Sequence, residues 1–89
     1  MKENHRDKHE IWAEILMFLD QPGFWVGSTR IYYNCNLNSK IWKKMYSPVL
    51  INLRLIEQSN FTKGYRLTPK GKAWLEVWKN LRLIEREGL

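Results

Sequence analysis

The sequence predicts an α+β fold, mostly helical, in one small domain. Three observations carry that prediction. Apolar residues recur at helical spacing near the N-terminus, in the middle and near the C-terminus. Two strand-like runs, residues 55–58 and 65–68, flank a polar turn with one glycine. The 89 residues, 44% of them hydrophobic, suit a single domain near the small end of what folds alone.

Each element follows from local chemistry. Residues 1–7 read as a flexible N-terminus ahead of a domain over 8–89. Asp7 followed by Glu10 is a capping-box variant, and Ile11, Ile15 and Leu19 trace a first helix over about 8–20. Gln21-Pro22-Gly23 ends it, and Phe24-Trp25-Val26 reads as a three-residue strand. Ser28 is the expected cap of a second helix over about 29–34, closed by the turn Asn34-Cys35-Asn36. Asn38 or Ser39 then caps a third helix. Its expected buried stripe is Leu37, Ile41, Met45 and Val49, with Trp42 and Leu53 alongside. Lys40, Lys43, Lys44 and Ser47 fall on its other face. Pro48 predicts a bend near 46–48, with Ser47 as a fresh cap and helix resuming to about Leu53. Residues 59–64 form the hairpin turn. Thr68-Pro69 starts a last helix, about 69–87, and Gly88 marks its end.

Charge is the most informative feature of the chain. The formal net charge is +6, and the whole surplus lies between Ser28 and Lys72, where nine basic residues face one acid, Glu57. A surplus confined to one segment points to a surface that meets a polyanion.

Helix, short strand, helix, turn, longer helix, hairpin, helix is the layout of a winged helix-turn-helix with a two-stranded wing. The residues also resemble a family. Asn36-Leu37-Asn38-Ser39, Leu53-Arg54-Leu55-Ile56-Glu57, Tyr65-x-Leu67-Thr68-x-Lys70-Gly71 and Trp74-Leu75 with Trp78 are similar to archaeal winged-helix proteins, over about residues 9–85. That group includes small basic DNA-binding proteins of Sulfolobus and some archaeal virus regulators. Two departures stand out: Arg54 occupies a position where the family usually has glycine, and Pro48 interrupts the presumed recognition helix.

The layout and the resemblance imply a set of contacts to double-stranded DNA. The third helix would offer Asn38, Ser39, Lys40, Lys43 and Lys44 to the major groove. The wing would offer Thr62, Lys63 and Arg66 to the minor groove or backbone, and Ser28, Thr29 and Arg30 would approach phosphates from the second helix. For each the plain alternative is a solvated face or a helix cap. The resemblance further implies a C-terminal dimerisation helix. The stripe Val77, Leu81 and Ile84 is wider than a lone helix on so small a domain could easily bury, and Trp74 and Trp78 are expected to serve the core or that dimer seam.

The expected function is therefore sequence-selective DNA binding by a homodimeric transcriptional regulator. Non-specific nucleoid packaging and a protein-interaction module are the alternatives. Trp12, Trp25 and Trp42 lie on apolar faces and are expected in the core rather than stacked on single-stranded bases. His5 and His9 are spaced i, i+4 but lack further ligands for a metal, and Cys35 has no nearby histidine or acid in sequence. No enzyme chemistry and no cofactor are expected. The single cysteine, the absence of an apolar membrane-length run and the polar N-terminus suggest a cytoplasmic, nucleoid-associated protein.

Overall fold

A computed structural model describes residues 6–20 and 25–86. The expected end of the first helix at Gln21-Pro22-Gly23, His5 and Gly88 lie outside the described residues. Helix α1 spans Lys8–Asp20. Its start is the expected capping box: the Asp7 N–H donates to Glu10 Oε1 at 3.2 Å, and the Glu10 N–H donates to Asp7 Oδ1 at 3.0 Å. The second of these bonds holds the Asp7 carboxyl below its usual range. Ile11, Ile15, Leu16 and Leu19 are buried, so α1 is the floor of the core.

Of the expected strand at 24–26, Phe24 lies outside the described residues and Val26 forms a single bridge. Among the described residues, Val26 pairs with Tyr65 through two backbone bonds of 2.8 and 2.7 Å. Helix α2, Ser28–Asn34, follows. Its cap position is Gly27, not Ser28, and no side chain caps it. Ser28 lies inside the helix because its hydroxyl has another use, accepting the Trp42 indole N–H at 3.0 Å. Asn36 closes α2 at φ 61°, with Leu37 N–H bonded to Tyr32 O and Asn36 N–H to Tyr33 O. This is a Schellman ending, with asparagine at the left-handed position it tolerates better than most residues.

The next helical stretch has three parts: α3, Ser39–Ile41, a π-helical segment, Trp42–Tyr46, and α4, Ser47–Asn52. Asn38 caps α3, its Oδ1 accepting the Ile41 N–H at 2.8 Å. Pro48 stands in the first turn of α4, and the helical stretch runs on past it to Asn52. In a regular helix its ring would strike the carbonyl of Lys44 four residues back. Lys44 sits instead within the widened π segment, closed by the Ser47 N–H bonding to Trp42 O.

The π segment also shifts the buried face. The core side is Trp42, Tyr46 and Leu50, all buried, whereas the expected core residues Met45 and Val49 are 57% and 39% exposed. Ser47 is likewise not on the lysine face and not a cap. It is buried, and its hydroxyl donates to the Tyr65 hydroxyl at 3.4 Å.

Helix α4 ends as α2 does. Leu55 N–H bonds to Leu50 O, Arg54 N–H bonds to Ile51 O, and Arg54 stands at φ 63°. The glycine usual at this place in the resembling family thus has a backbone reason, and Arg54 occupies it at a cost of roughly 1 kcal/mol. Strands β1, Ile56–Gln58, and β2, Tyr65–Leu67, pair antiparallel with Glu57 opposite Arg66.

Helix α5 runs over Pro69–Arg86. Thr68 caps it as expected, accepting the Gly71 N–H at 2.9 Å while its own hydroxyl lies 2.6 Å from Arg54 O. Gly71 presses against the preceding turn so closely that an added Cβ would lie 2.1 Å from Leu55 O. This contact accounts for Thr68-x-x-Gly71 in physical terms: the threonine ties α5 to the end of α4, and only glycine fits beneath it. Gly71→Ala should lower stability by about 2 kcal/mol or more, read as a lower urea midpoint.

Cys35 is buried, and burial pushes its thiol from 9.0 up to about 11, with the Glu14 carboxylate adding to the rise. Below pH 9 the thiol is neutral folded and unfolded, so its ionisation contributes nothing there. Between about 9 and 11 the unfolded chain loses the proton first, and stability falls as pH rises. Thermal melts across that window should show a steeper decline for the wild type than for Cys35→Ala, and parallel curves would refute the assignment.

Candidate nucleic-acid interface

The helix-turn-helix is built from α2, the Schellman turn at Asn36, and the α3–π–α4 stretch. Trp42 fixes the angle between its two halves. Its ring is fully buried, its indole N–H reaches back to Ser28, and its face meets the Tyr65 ring edge-on at 5.3 Å. The core thus holds the second half of the motif by its inner side and leaves its outer side to solvent.

Lys40, Lys43 and Lys44 all lie on that outer side, and none pairs with an acid among the described residues. Ser39 is exposed beside them. Asn38 is exposed too, but its Oδ1 is committed to the cap. Met45 and Val49 extend the same outer side. Sequence reading missed them, since their spacing matched a core stripe. The one signal against it was Pro48, which marks where helical phase cannot be extrapolated.

The other expected contacts divide into two groups. Thr29, Arg30, Thr62 and Lys63 are exposed. Thr62 uses its Oγ1 to accept the Gly64 N–H at 3.2 Å, and Lys63 turns the wing at φ 60°. Arg66 and Ser28 are occupied within the fold. Arg66 donates from Nε and Nη2 to Glu57 Oε2 at 3.1 and 2.9 Å and stacks on Trp25 at 4.2 Å. Trp25 is correspondingly half-buried beneath that guanidinium rather than part of the core cluster. Ser28 Oγ accepts from Trp42, although its own O–H remains a donor.

Pairing also sorts the basic residues. Lys72 binds Asp20 at 2.7 Å, with Glu76 at 3.6 Å, and the Asp20 bond raises the Lys72 ammonium above its usual value. Arg66 is answered by Glu57. Between Ser28 and Lys72, the cations without an acid partner among the described residues are Arg30, the three helix lysines, Arg54, Lys63 and Lys70. Acids answer Arg6, Lys72 and Arg82 along α1 and α5, whereas the motif's own cations, Arg30, Lys40, Lys43 and Lys44, meet none among the described residues.

A model of the winged helix-turn-helix family matches residues 5–86. The chain belongs to that family. No curated protein matches it. The winged helix accounts for the order of elements: the bridge at Val26 is its first strand, β1 and β2 with the turn 59–64 are its wing, and α3–π–α4 is the helix that helix-turn-helix proteins place in the major groove. Among the described residues no group of three or more His, Cys, Asp and Glu side chains could hold a metal ion. No described helix is long and apolar enough to cross a membrane.

Of the residues expected in a dimer seam, Val77, Leu81 and Ile84 are exposed on α5 at i, i+4 and i+7. Trp74 and Trp78 are half-buried and pack on the core, with Trp74 5.9 Å from the Trp12 ring. Arg82 lies over Trp78 at 5.3 Å and reaches Glu10 at 3.4 Å, which ties the middle of α5 to α1.

Proposed function

We propose that this winged helix binds double-stranded DNA as a homodimer and regulates transcription by preferring particular sequences. The observation that carries the reading is the trio Lys40, Lys43 and Lys44. They are exposed and unpaired among the described residues, on the helix that this motif presents to the major groove. Phosphate contacts come from these lysines and from Arg30 and Thr29, with Lys63 and Thr62 reaching the duplex from the wing. Ser28 can join by donating its hydroxyl proton, whereas Arg66 serves mainly to stiffen the wing. Sequence preference comes from Ser39 and the Asn38 amide at the start of the helix, and from Met45 and Val49. Their apolar atoms suit the thymine methyl group, which only the major groove displays.

Dimerisation is supported by the exposed Val77, Leu81 and Ile84 stripe, completed at its edge by Trp74 and Trp78. A two-fold pair of motifs would match a palindromic site. A cytoplasmic, nucleoid-associated place in the cell and kinship with the small basic archaeal winged helices belong to this same proposal.

Replacing Lys40, Lys43 and Lys44 together by alanine should leave the helical circular dichroism intact and weaken DNA binding. It should also reduce the slope of log affinity against log salt by about 1 for each lysine. An unchanged slope would remove this helix from the interface. A regulator should prefer its best site over random duplex by about three decades or more, and a packaging protein should show little preference. Leu81→Glu should sediment as a monomer where the wild type sediments as a dimer, and a persisting dimer would exclude the α5 stripe as the seam.

A further inference from the structure

The most exposed large apolar side chain among the described residues is Phe61, 95% accessible at the tip of the wing. No contact among the described residues uses it. The turn is held by other groups: Ser59 Oγ accepts the N–H groups of Phe61 and Thr62 at 3.0 and 3.2 Å, Thr62 Oγ1 accepts from Gly64, and Ser59 N–H bonds to Gly64 O at 2.8 Å. The wing's base is fixed as well, by the Val26–Tyr65 bridge and the Glu57–Arg66–Trp25 stack. The result is a hairpin, hydrogen-bonded at its turn and fastened at its base, carrying an aromatic ring on its end, with exposed Thr62 and Lys63, unpaired among the described residues, directly behind it.

An aromatic ring with no partner in the fold, backed by a cation, is complementary to one feature of duplex DNA. The minor groove is lined on both sides by phosphates and floored by stacked base edges, and apolar wedges enter it between base steps. The geometry points to Phe61 as such a wedge. It inserts part-way into a flexible base step while Lys63 and Thr62 hold the flanking backbone, so the wing contributes by unstacking and bending the duplex. This rests on the DNA-binding reading above and adds to it a mode of contact: preference for deformable steps, independent of any hydrogen bond to a base.

The test uses the full chain and a duplex with 2-aminopurine at a central TA step, whose fluorescence rises when the base unstacks. Saturating wild-type protein should raise it. Because the turn is built without the ring, Phe61→Ala should fold normally, bind roughly tenfold more weakly and leave the 2-aminopurine signal flat, with an unchanged salt slope. Phe61→Leu, still an apolar wedge, should recover part of the signal. Phe61→Ala with wild-type affinity and wild-type signal overturns the inference. So does a wild type that binds DNA without any fluorescence rise, a result that leaves the DNA-binding reading standing. Absence of all binding at low salt removes both. A Phe61→Ala change that alters only the sedimentation of DNA-free protein overturns the wedge in favour of a contact between copies.

Discussion

Tyr65 is the point on which three separate pieces of chain converge. Its backbone pairs with Val26, its ring stands edge-on to Trp42, and its hydroxyl receives hydrogen bonds from Ser47 and, at 3.2 Å, from Gln58. Backbone pairing fixes the wing relative to the segment before α2, and the ring and hydroxyl fix it relative to the α3–π–α4 stretch. A two-stranded hairpin has little stability alone. Here it is held because one residue at its base satisfies polar groups and apolar surface together. The orientation of the wing toward any ligand of the helix-turn-helix follows from this residue.

Much of this arrangement was legible in the sequence, and the legible parts share a cause. Asp7 with Glu10, Asn38 as a cap, and Thr68 followed by Pro69 each satisfy backbone groups within three residues, so short-range chemistry decides them. The place of the hairpin and the extent of α1 also followed from local pattern. What the sequence misplaced was decided at long range. Ser28 and Ser47 had the chemistry of caps but went to Trp42 and Tyr65, fourteen and eighteen residues away. Trp25 reads as core, but Arg66 covers it instead. Met45 and Val49 fit a helical stripe that the π segment throws out of phase. The lysines on the outer side of the helix were read correctly, because their place needs only that the opposite side be apolar.

The distribution of ion pairs gives the domain two electrical sides. On the α1–α5 side, Arg6 with Glu14, Lys72 with Asp20 and Glu76, and Arg82 with Glu10 and Glu85 bring opposite charges together. Exposed pairs of this kind contribute little to stability. Their larger effect is to lower positive potential along α1 and α5, whose acids offset most of their bases, so that the charge surplus is concentrated on the motif. A polyanion approaching at random is turned toward one face before any contact forms.

The π segment has a consequence for how this helix can vary. In a regular helix, adding or removing one residue rotates everything beyond it by about 100°. The widened turn absorbs such a rotation between Trp42 and Tyr46. The α3 turn, with Asn38, Ser39 and Lys40, and the Pro48-bearing half are therefore set in phase independently, the first held by buried Trp42 at the start of the joint and the second by Leu50. The helix acts as two short rulers joined by a sliding joint. A change in the length of that joint would turn Ser39 and Lys40 relative to Val49 without disturbing either anchor, so what this surface recognises is set by chain length there as much as by side-chain identity.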